Sequence, residues 1–164
     1  MFQVKRLKTK TVAAKIAEFL TSWDAFQQEL FQAEIEFIKR NVFESINDES
    51  HAYWYVTKGD KIVGAGGVKE TNYKSGGYIM SEDYFAVHRD YRINGIGRMI
   101  LGEIEKYVKE KKGRFLLIET CDIDLYKPAR NFYEKHGYRK VGHIPEYYDK
   151  GEGKVDYFKS FTKS

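Results

Sequence analysis

The chain has almost no cysteine: Cys121 is the one thiol in 164 residues. An internal disulfide framework is therefore excluded, and a reducing, cytoplasmic setting fits this usage. Proline is equally scarce, with Pro128 and Pro145 alone. There is no Gly/Ser-rich stretch to act as a linker. At roughly 150 residues per domain, the length predicts a single domain over 1–164. No apolar run approaches the ~18 residues that a membrane span needs. The opening Met1-Phe2-Gln3-Val4-Lys5-Arg6 has no apolar signal core behind it, so no membrane partner is expected. Neither sign of charge dominates, since 28 basic against 24 acidic residues leave +4. That surplus suits an anionic ligand and is too small to argue for nucleic acid. His51, His88, His136 and His143 show no metal-ligand spacing, so no metal is expected.

What the chain has in excess is aromatic side chains, 13 Tyr and 11 Phe. With 42% hydrophobic and 32% charged residues, it reads as a globular protein with one core. Gln3 to Leu7 predicts a short strand. Thr11 to Leu20 has helical spacing at Val12, Ile16, Phe19 and Leu20. Ser22 or Asp24 caps a second helix, with Phe26, Leu30, Ala33, Phe37 and Ile38 on one face, ending near Arg40 to Ser45. The period then shortens: Ala52 to Thr57 and Ile62 to Val68 predict strands joined by a turn at Lys58-Gly59-Asp60-Lys61. Tyr78 to Val87 predicts a third long strand, and Gly95 to Lys112 a helix stopped by Gly113. Phe115-Leu116-Leu117-Ile118 predicts a strand buried on both faces and parallel to the strand ending at Val87. Pro128 opens a helix stopped by Gly137. Tyr138 to His143 and Val155 to Phe161 predict the last strands, joined by a loop holding Tyr147, Tyr148, Gly151 and Gly153. The order β-α-α-β-β-β-α-β-α-β-β predicts an α+β or mixed α/β fold, a meander followed by a βαβ crossover.

Chemistry concentrates where that third strand ends. In Arg92-Ile93-Asn94-Gly95-Ile96-Gly97-Arg98 a strand runs through two glycines straight into a helix. Such a junction aims unpaired backbone N–H groups at one point and favours a phosphate. Arg92 and Arg98 add charge-assisted donors. A Walker loop would need Gly-Lys-Ser/Thr where Gly97-Arg98-Met99 stands. A Rossmann fingerprint would need a small residue where Ile100 stands. The remaining pattern, Arg/Gln-x-x-Gly-x-Gly/Ala, matches at every fixed position. The plainer reading is a tight strand–helix turn and nothing more.

This hexamer resembles the acyl-CoA pyrophosphate loop of the GNAT superfamily of N-acetyltransferases. Phe132-Tyr133-Glu134-Lys135-His136-Gly137-Tyr138 is similar to that family's closing signature. Ile118-Glu119-Thr120, Tyr126-Lys127-Pro128-Ala129-Arg130 and Ile144-Pro145-Glu146-Tyr147-Tyr148, with Gly151 to Lys154 and Val155-Asp156-Tyr157, resemble one branch of small bacterial members. The resemblance is specific over Tyr78 to Phe161; before that it is a match of element order. It implies a mostly antiparallel, twisted sheet of about six to seven strands with one splayed parallel pair and helices on both faces. It also implies an acetyl-CoA-dependent N-acetyltransferase, with acetyl-CoA and an amine acceptor as partners and no metal. Phe85, Ala86 and Val87 would offer backbone groups to the pantetheine arm, with the Val87 N–H facing the thioester carbonyl. The backbone of Arg92, Ile93, Asn94, Gly95, Ile96, Gly97 and Arg98 would hold the pyrophosphate. Tyr133 takes the general-acid position. Glu119 is the candidate base, with Glu82 and Asp83 as rivals and Ser81 at the best-aligned position; the alternative for Glu119 is an ordinary strand-end carboxylate. Many members carry an Asn before the signature. Here Asp122-Ile123-Asp124 stands instead, leaving Asp124 or Asn131 to take its place. Cys121 reads as a packing residue, since no histidine is assigned near it. Trp23, Phe26, Phe31, Tyr147 and Tyr148, with Glu29, Glu146 and Asp149, would suit a cationic acceptor. C-terminal edge strands are compatible with a homodimer. A non-catalytic acyl-CoA-binding module on the same fold is the alternative function.

Overall fold

The computed structural model describes residues 1–162. In chain order its elements are β1 (Val4–Arg6), α1 (Lys10–Leu20), α2 (Trp23–Phe26), α3 (Gln32–Glu44), β2 (His51–Lys58), β3 (Lys61–Glu70), β4 (Gly77–Met80), β5 (Phe85–Val87), α4 (Ile96–Glu110), β6 (Phe115–Cys121), α5 (Lys127–Lys135), β7 (Arg139–Asp149) and β8 (Glu152–Ser160). The fold is mixed α/β with a mostly antiparallel set of eight strands and one parallel pair, as the sequence implied. Two compact units divide the chain: Met1–Lys69 with Asp83–Tyr107, and Glu70–Glu82 with the chain from Val108 onward.

In the first unit β1 pairs with β2, β2 with β3 and β3 with β5, all antiparallel. The β2–β3 turn is tighter than its signal, with Lys58 opposite Lys61 and Gly59 at φ 59°. Helix α1 is capped by Thr9, whose hydroxyl accepts from the Val12 N–H. It buries Ala13, Ile16, Ala17, Phe19 and Leu20. The early side of α4 buries Ile96, Ile100, Leu101 and Ile104. Close approach there depends on β3 glycines: a Cβ at Gly64 would lie 2.6 Å from Ile96, and one at Gly66 2.7 Å from Ile100.

In the second unit the strand order is β4-β6-β8-β7. β4 runs parallel to β6 from Gly77↔Phe115 to Met80↔Ile118, and β8 lies antiparallel along all of β6. Leu116, Ile118, Val155 and Tyr157 are buried there. Helix α5 begins with Pro128 in its first turn and gives way to Gly137 at φ 89°.

Four expectations are corrected. The long second helix is two: Gln27 turns left-handed (φ 55°) after α2, and the Ala25 carbonyl that would continue the ladder accepts instead from Arg92. Tyr78 to Val87 is not one strand. A 3-10 turn at Glu82–Tyr84 breaks it, which raises the strand count to eight, and the parallel partner of β6 is the Gly77–Met80 half. β6 is not buried on both faces, because Phe115, Leu117 and Glu119 alternate half-exposed with buried neighbours. Tyr147, Tyr148 and Gly153 do not sit in a loop: β7 and β8 continue to a turn at Lys150-Gly151.

The ring of Tyr53, 1% exposed, covers Gly67 directly across the β2–β3 ladder. A Cβ at Gly67 would lie 2.6 Å from that ring. Gly67→Ala is expected to cost about 1–3 kcal/mol by overpacking, read as a lower urea midpoint at unchanged slope.

Candidate active site

The first unit carries the anion-binding geometry. Ile93 (φ 65°) and Gly95 (φ 77°) are both left-handed, with Asn94 between them, immediately before α4. Alternation of this kind turns successive N–H groups into one concavity. The first turn of the 15-residue helix α4 adds N–H groups with no intrahelical acceptor. An added Cβ at Gly95 would meet nothing within 4 Å, so the space above the loop is open. These features fit a pyrophosphate. Ile93, Asn94 and Arg98 are exposed, Gly97 is half-buried and Ile96 is buried. Asn94 Nδ2 donates to the carbonyls of Tyr91 and Arg92, closing the loop on itself.

The Arg92 guanidinium is engaged inside the unit. Nε donates to Val87 O at 3.1 Å, one terminal nitrogen to Gln27 Oε1 at 2.7 Å and the other to Ala25 O at 3.0 Å. Arg89 pairs with Asp24 at 2.8 Å, and buried His88 approaches the same carboxylate at 3.2 Å. Helix α2 is thus tied to the loop by several polar links that sequence spacing did not show. On β5, His88 N–H bonds Val63 O, and Ala86 pairs opposite Ala65. By the antiparallel alternation Phe85 and Val87 turn their backbone groups away from β3.

The second unit gathers a charged and phenolic cluster. Glu119, at the end of β6, accepts from Ser81 Oγ at 3.2 Å through Oε1, and Lys154 Nζ lies 2.8 Å from Oε2. Lys154 also reaches Asp156 at 3.0 Å and stands over the Tyr147 ring at 5.3 Å. Burial pulls the Lys154 ammonium toward a lower pKa, but its bonds to Glu119 and Asp156 outweigh this and hold it above an ordinary lysine. Tyr148 is half-buried and hydrogen-bonds Glu82. Burial, then the charges of Glu82 and Glu119, push its phenol far above the usual range. The structure therefore brings Ser81, Glu82, Glu119 and Tyr148 together, and adds Lys154 and Asp156, which were not singled out from the sequence. Strand alternation puts residues 154 and 156 on one face, but only the β6–β8 register places that face beside Glu119.

Tyr133 is 5% exposed, packed by Phe132, Tyr138 and Tyr157, and burial raises its phenol above an ordinary tyrosine. Asn131 and Asp124 are both exposed. Cys121 is buried, and burial raises its thiol. His143 lies 2.8 Å from Asp122, beside Cys121 in sequence, so a histidine does approach this region. A thiol held above its ordinary value is nevertheless a poor nucleophile. Of the two rivals to Glu119, Asp83 belongs to the first unit, where burial and the Glu34 charge push its carboxyl up to about 7. Phe26 is buried, whereas Trp23, Phe31 and Tyr147 are more than half exposed. No helix among the described residues is long and apolar enough to cross a membrane.

Solved structures show the class of fold. The ribosomal-protein-S18-alanine N-acetyltransferase from Escherichia coli superposes with a TM-score of 0.77 over 100% of this chain and 96% of that one, at 16% identity. An aminoglycoside 6'-N-acetyltransferase complexed with coenzyme A gives 0.75 over 99% and 98%, at 18% identity. Streptothricin acetyltransferase A from Bacillus subtilis (strain 168) is 40% identical over 60 residues, which are 37% of this chain and 33% of that relative's length. The family model for the acetyltransferase (GNAT) family matches residues 16–138. The chain belongs to the GNAT acetyltransferase family.

Two substitutions probe these surroundings. Ile93 is fully exposed, so it loses no packing on replacement, yet a β-branched residue at φ 65° is strained. Ile93→Asn is expected to raise stability by about 0.5–1 kcal/mol, seen as a higher urea midpoint. For Asp83, a carboxyl raised from 3.8 to about 7 binds its proton more readily in the folded chain. The contribution of Asp83 to stability is then fully present below pH ~4 and is lost as pH rises toward ~7, by roughly 2–4 kcal/mol. Asp83→Asn is expected to flatten that slope in denaturation curves recorded from pH 4 to 8.

Proposed function

We propose that this chain is an acetyl-CoA-dependent N-acetyltransferase that acetylates a primary amine of a small molecule or peptide, acting as one catalytic domain in the cytoplasm. The observation that carries the reading is the Ile93–Gly95 concavity running into the N-terminus of α4. The backbone from Arg92 to Arg98 holds the pyrophosphate there, and the exposed Arg98 supplies a cation, since Arg92 is committed to Val87, Gln27 and Ala25. When bound, acetyl-CoA supplies an acyl thioester open to attack by a neutral amine. Phe85 and Val87 bind the pantetheine arm through the edge of β5 that faces away from β3, with Ala86 lining the arm between them while its own backbone pairs with β3, and the Val87 N–H serves the developing oxyanion.

Two proton transfers complete the exchange of a C–S for a C–N bond. Tyr133 donates a proton to the leaving thiolate. The phenol is protonated throughout neutral pH, and because burial also makes it a weaker acid the transfer requires the thiolate to form directly beside it. Glu119 receives the acceptor ammonium and takes its proton through a water. Tyr147 and Tyr148 flank it, and Asn131 contributes to holding the pantetheine. Exposed edge strand β7 supports a homodimer.

Tyr133→Phe is expected to lower kcat about 100-fold with acetyl-CoA affinity unchanged, measured as CoA thiol release across polyamines, aminoglycosides, small amines and peptides. An unchanged kcat rejects Tyr133 as the acid. A wild-type protein that binds acetyl-CoA and releases CoA with none of these amines is instead an acyl-CoA-binding module.

A further inference from the structure

We propose that Lys154 is a positioning residue: its ammonium keeps Glu119 ionised and aimed by separating it from Asp156. The inference rests on the reading of Glu119 given above. In the β6–β8 ladder Glu119 stands directly opposite Asp156. Two carboxylates in cross-strand register repel each other, and the pair is only 22% and 19% exposed. Left alone, such a pair shares a proton: one member stays protonated well above the usual carboxylate range, and the titration belongs to both.

Lys154 removes that conflict. It lies two residues before Asp156 on β8 and therefore on the same face of the strand. From there Nζ reaches Glu119 Oε2 at 2.8 Å and Asp156 Oδ1 at 3.0 Å, with the side chain 12% exposed. The Tyr147 ring below the ammonium adds a cation–π contact at 5.3 Å. Ser81 occupies the other Glu119 oxygen at 3.2 Å. Both oxygens thus have fixed donors, and the carboxylate is held in one orientation. The other groups facing this point are Glu82 and the Tyr148 phenol that bonds it. Glu82 adds negative charge and the phenol stays neutral, so neither replaces the lysine.

Without the ammonium, the Glu119–Asp156 pair takes up a proton as pH falls toward neutrality, and Glu119 is lost as an acceptor over that range. Lys154→Met is therefore expected to move the acid limb of the kcat/KM–pH profile upward by about one unit, which lowers kcat/KM about 10-fold at pH values below the limb. The KM for acetyl-CoA should stay within about twofold of wild type. Potentiometric titration of the folded protein alone should show about one extra proton bound between pH 7 and 5. Lys154→Arg should restore the limb. The double variant Lys154→Met with Asp156→Asn, which has no like-charge pair, should restore it too; it keeps the test available if Lys154→Met does not fold. A profile superimposed on wild type, no extra proton, or a double variant with a displaced limb overturns the proposal. Glu119→Gln separates the two readings. If Glu119→Gln keeps wild-type kcat, the role of Glu119 itself falls. If it is impaired while Lys154→Met is not, only the role of Lys154 falls.

Discussion

The arrangement depends on a turn in the middle of what the sequence presents as one strand. Tyr84, the last residue of that turn, donates its phenolic hydrogen bond to Asn41 Oδ1 at 2.6 Å, with both side chains buried. Asn41 is fixed in turn, its amide donating to the Phe37 carbonyl at 2.8 Å within α3. The Tyr84 ring also lies 5.3 Å from Tyr53 and stacks on His51. A buried hydroxyl without a partner would be costly, so this bond selects one conformation for Glu82–Tyr84. On one side of the turn Gly77–Met80 pairs in parallel with β6 in its own unit, and on the other Phe85–Val87 pairs with β3 and leads into the Ile93–Gly95 loop.

That turn explains which parts of the fold could be read from sequence and which could not. Helix α1 is legible from its apolar spacing at Val12, Ile16, Phe19 and Leu20, while its Thr9 cap is not, and helices α4 and α5 are legible because Gly95, Pro128 and Gly137 act within a few residues of the element they bound. The β2–β3 hairpin was legible from Gly59-Asp60 for the same reason. The break at Glu82–Tyr84 was not, because no glycine or proline marks it. Its cause is Asn41, 43 residues away in sequence. The split between α2 and α3 has the same origin. Gln27 is unremarkable locally, and the donor that takes the Ala25 carbonyl is Arg92, 67 residues away.

The candidate site divides along the same line. The Arg-x-x-Gly-x-Gly pattern is a backbone device, so its glycine reports directly on a positive φ, and the loop could be found from six letters. Even there the left-handed backbone at Ile93 is not legible, since an isoleucine gives no sign of it. Glu119 was visible as a strand-end carboxylate. Its partners were not, because they depend on the register of an antiparallel pair, and a slip of one residue would turn Lys154 and Asp156 to the opposite face.

The two halves of the chemistry are therefore held by different forces. Anion binding rests on backbone geometry and on a helix end, which few side-chain substitutions remove. The cluster proposed to handle the amine proton rests on charges a few ångströms apart at the end of β6, where Lys154 stands within 3 Å of two carboxylates. Such a cluster is sensitive to any one of its members, because removing a single charge changes the protonation of the rest. The register of β6 and β8 sets the carboxylates of Glu119 and Asp156 face to face, and the Lys154 ammonium stands between them.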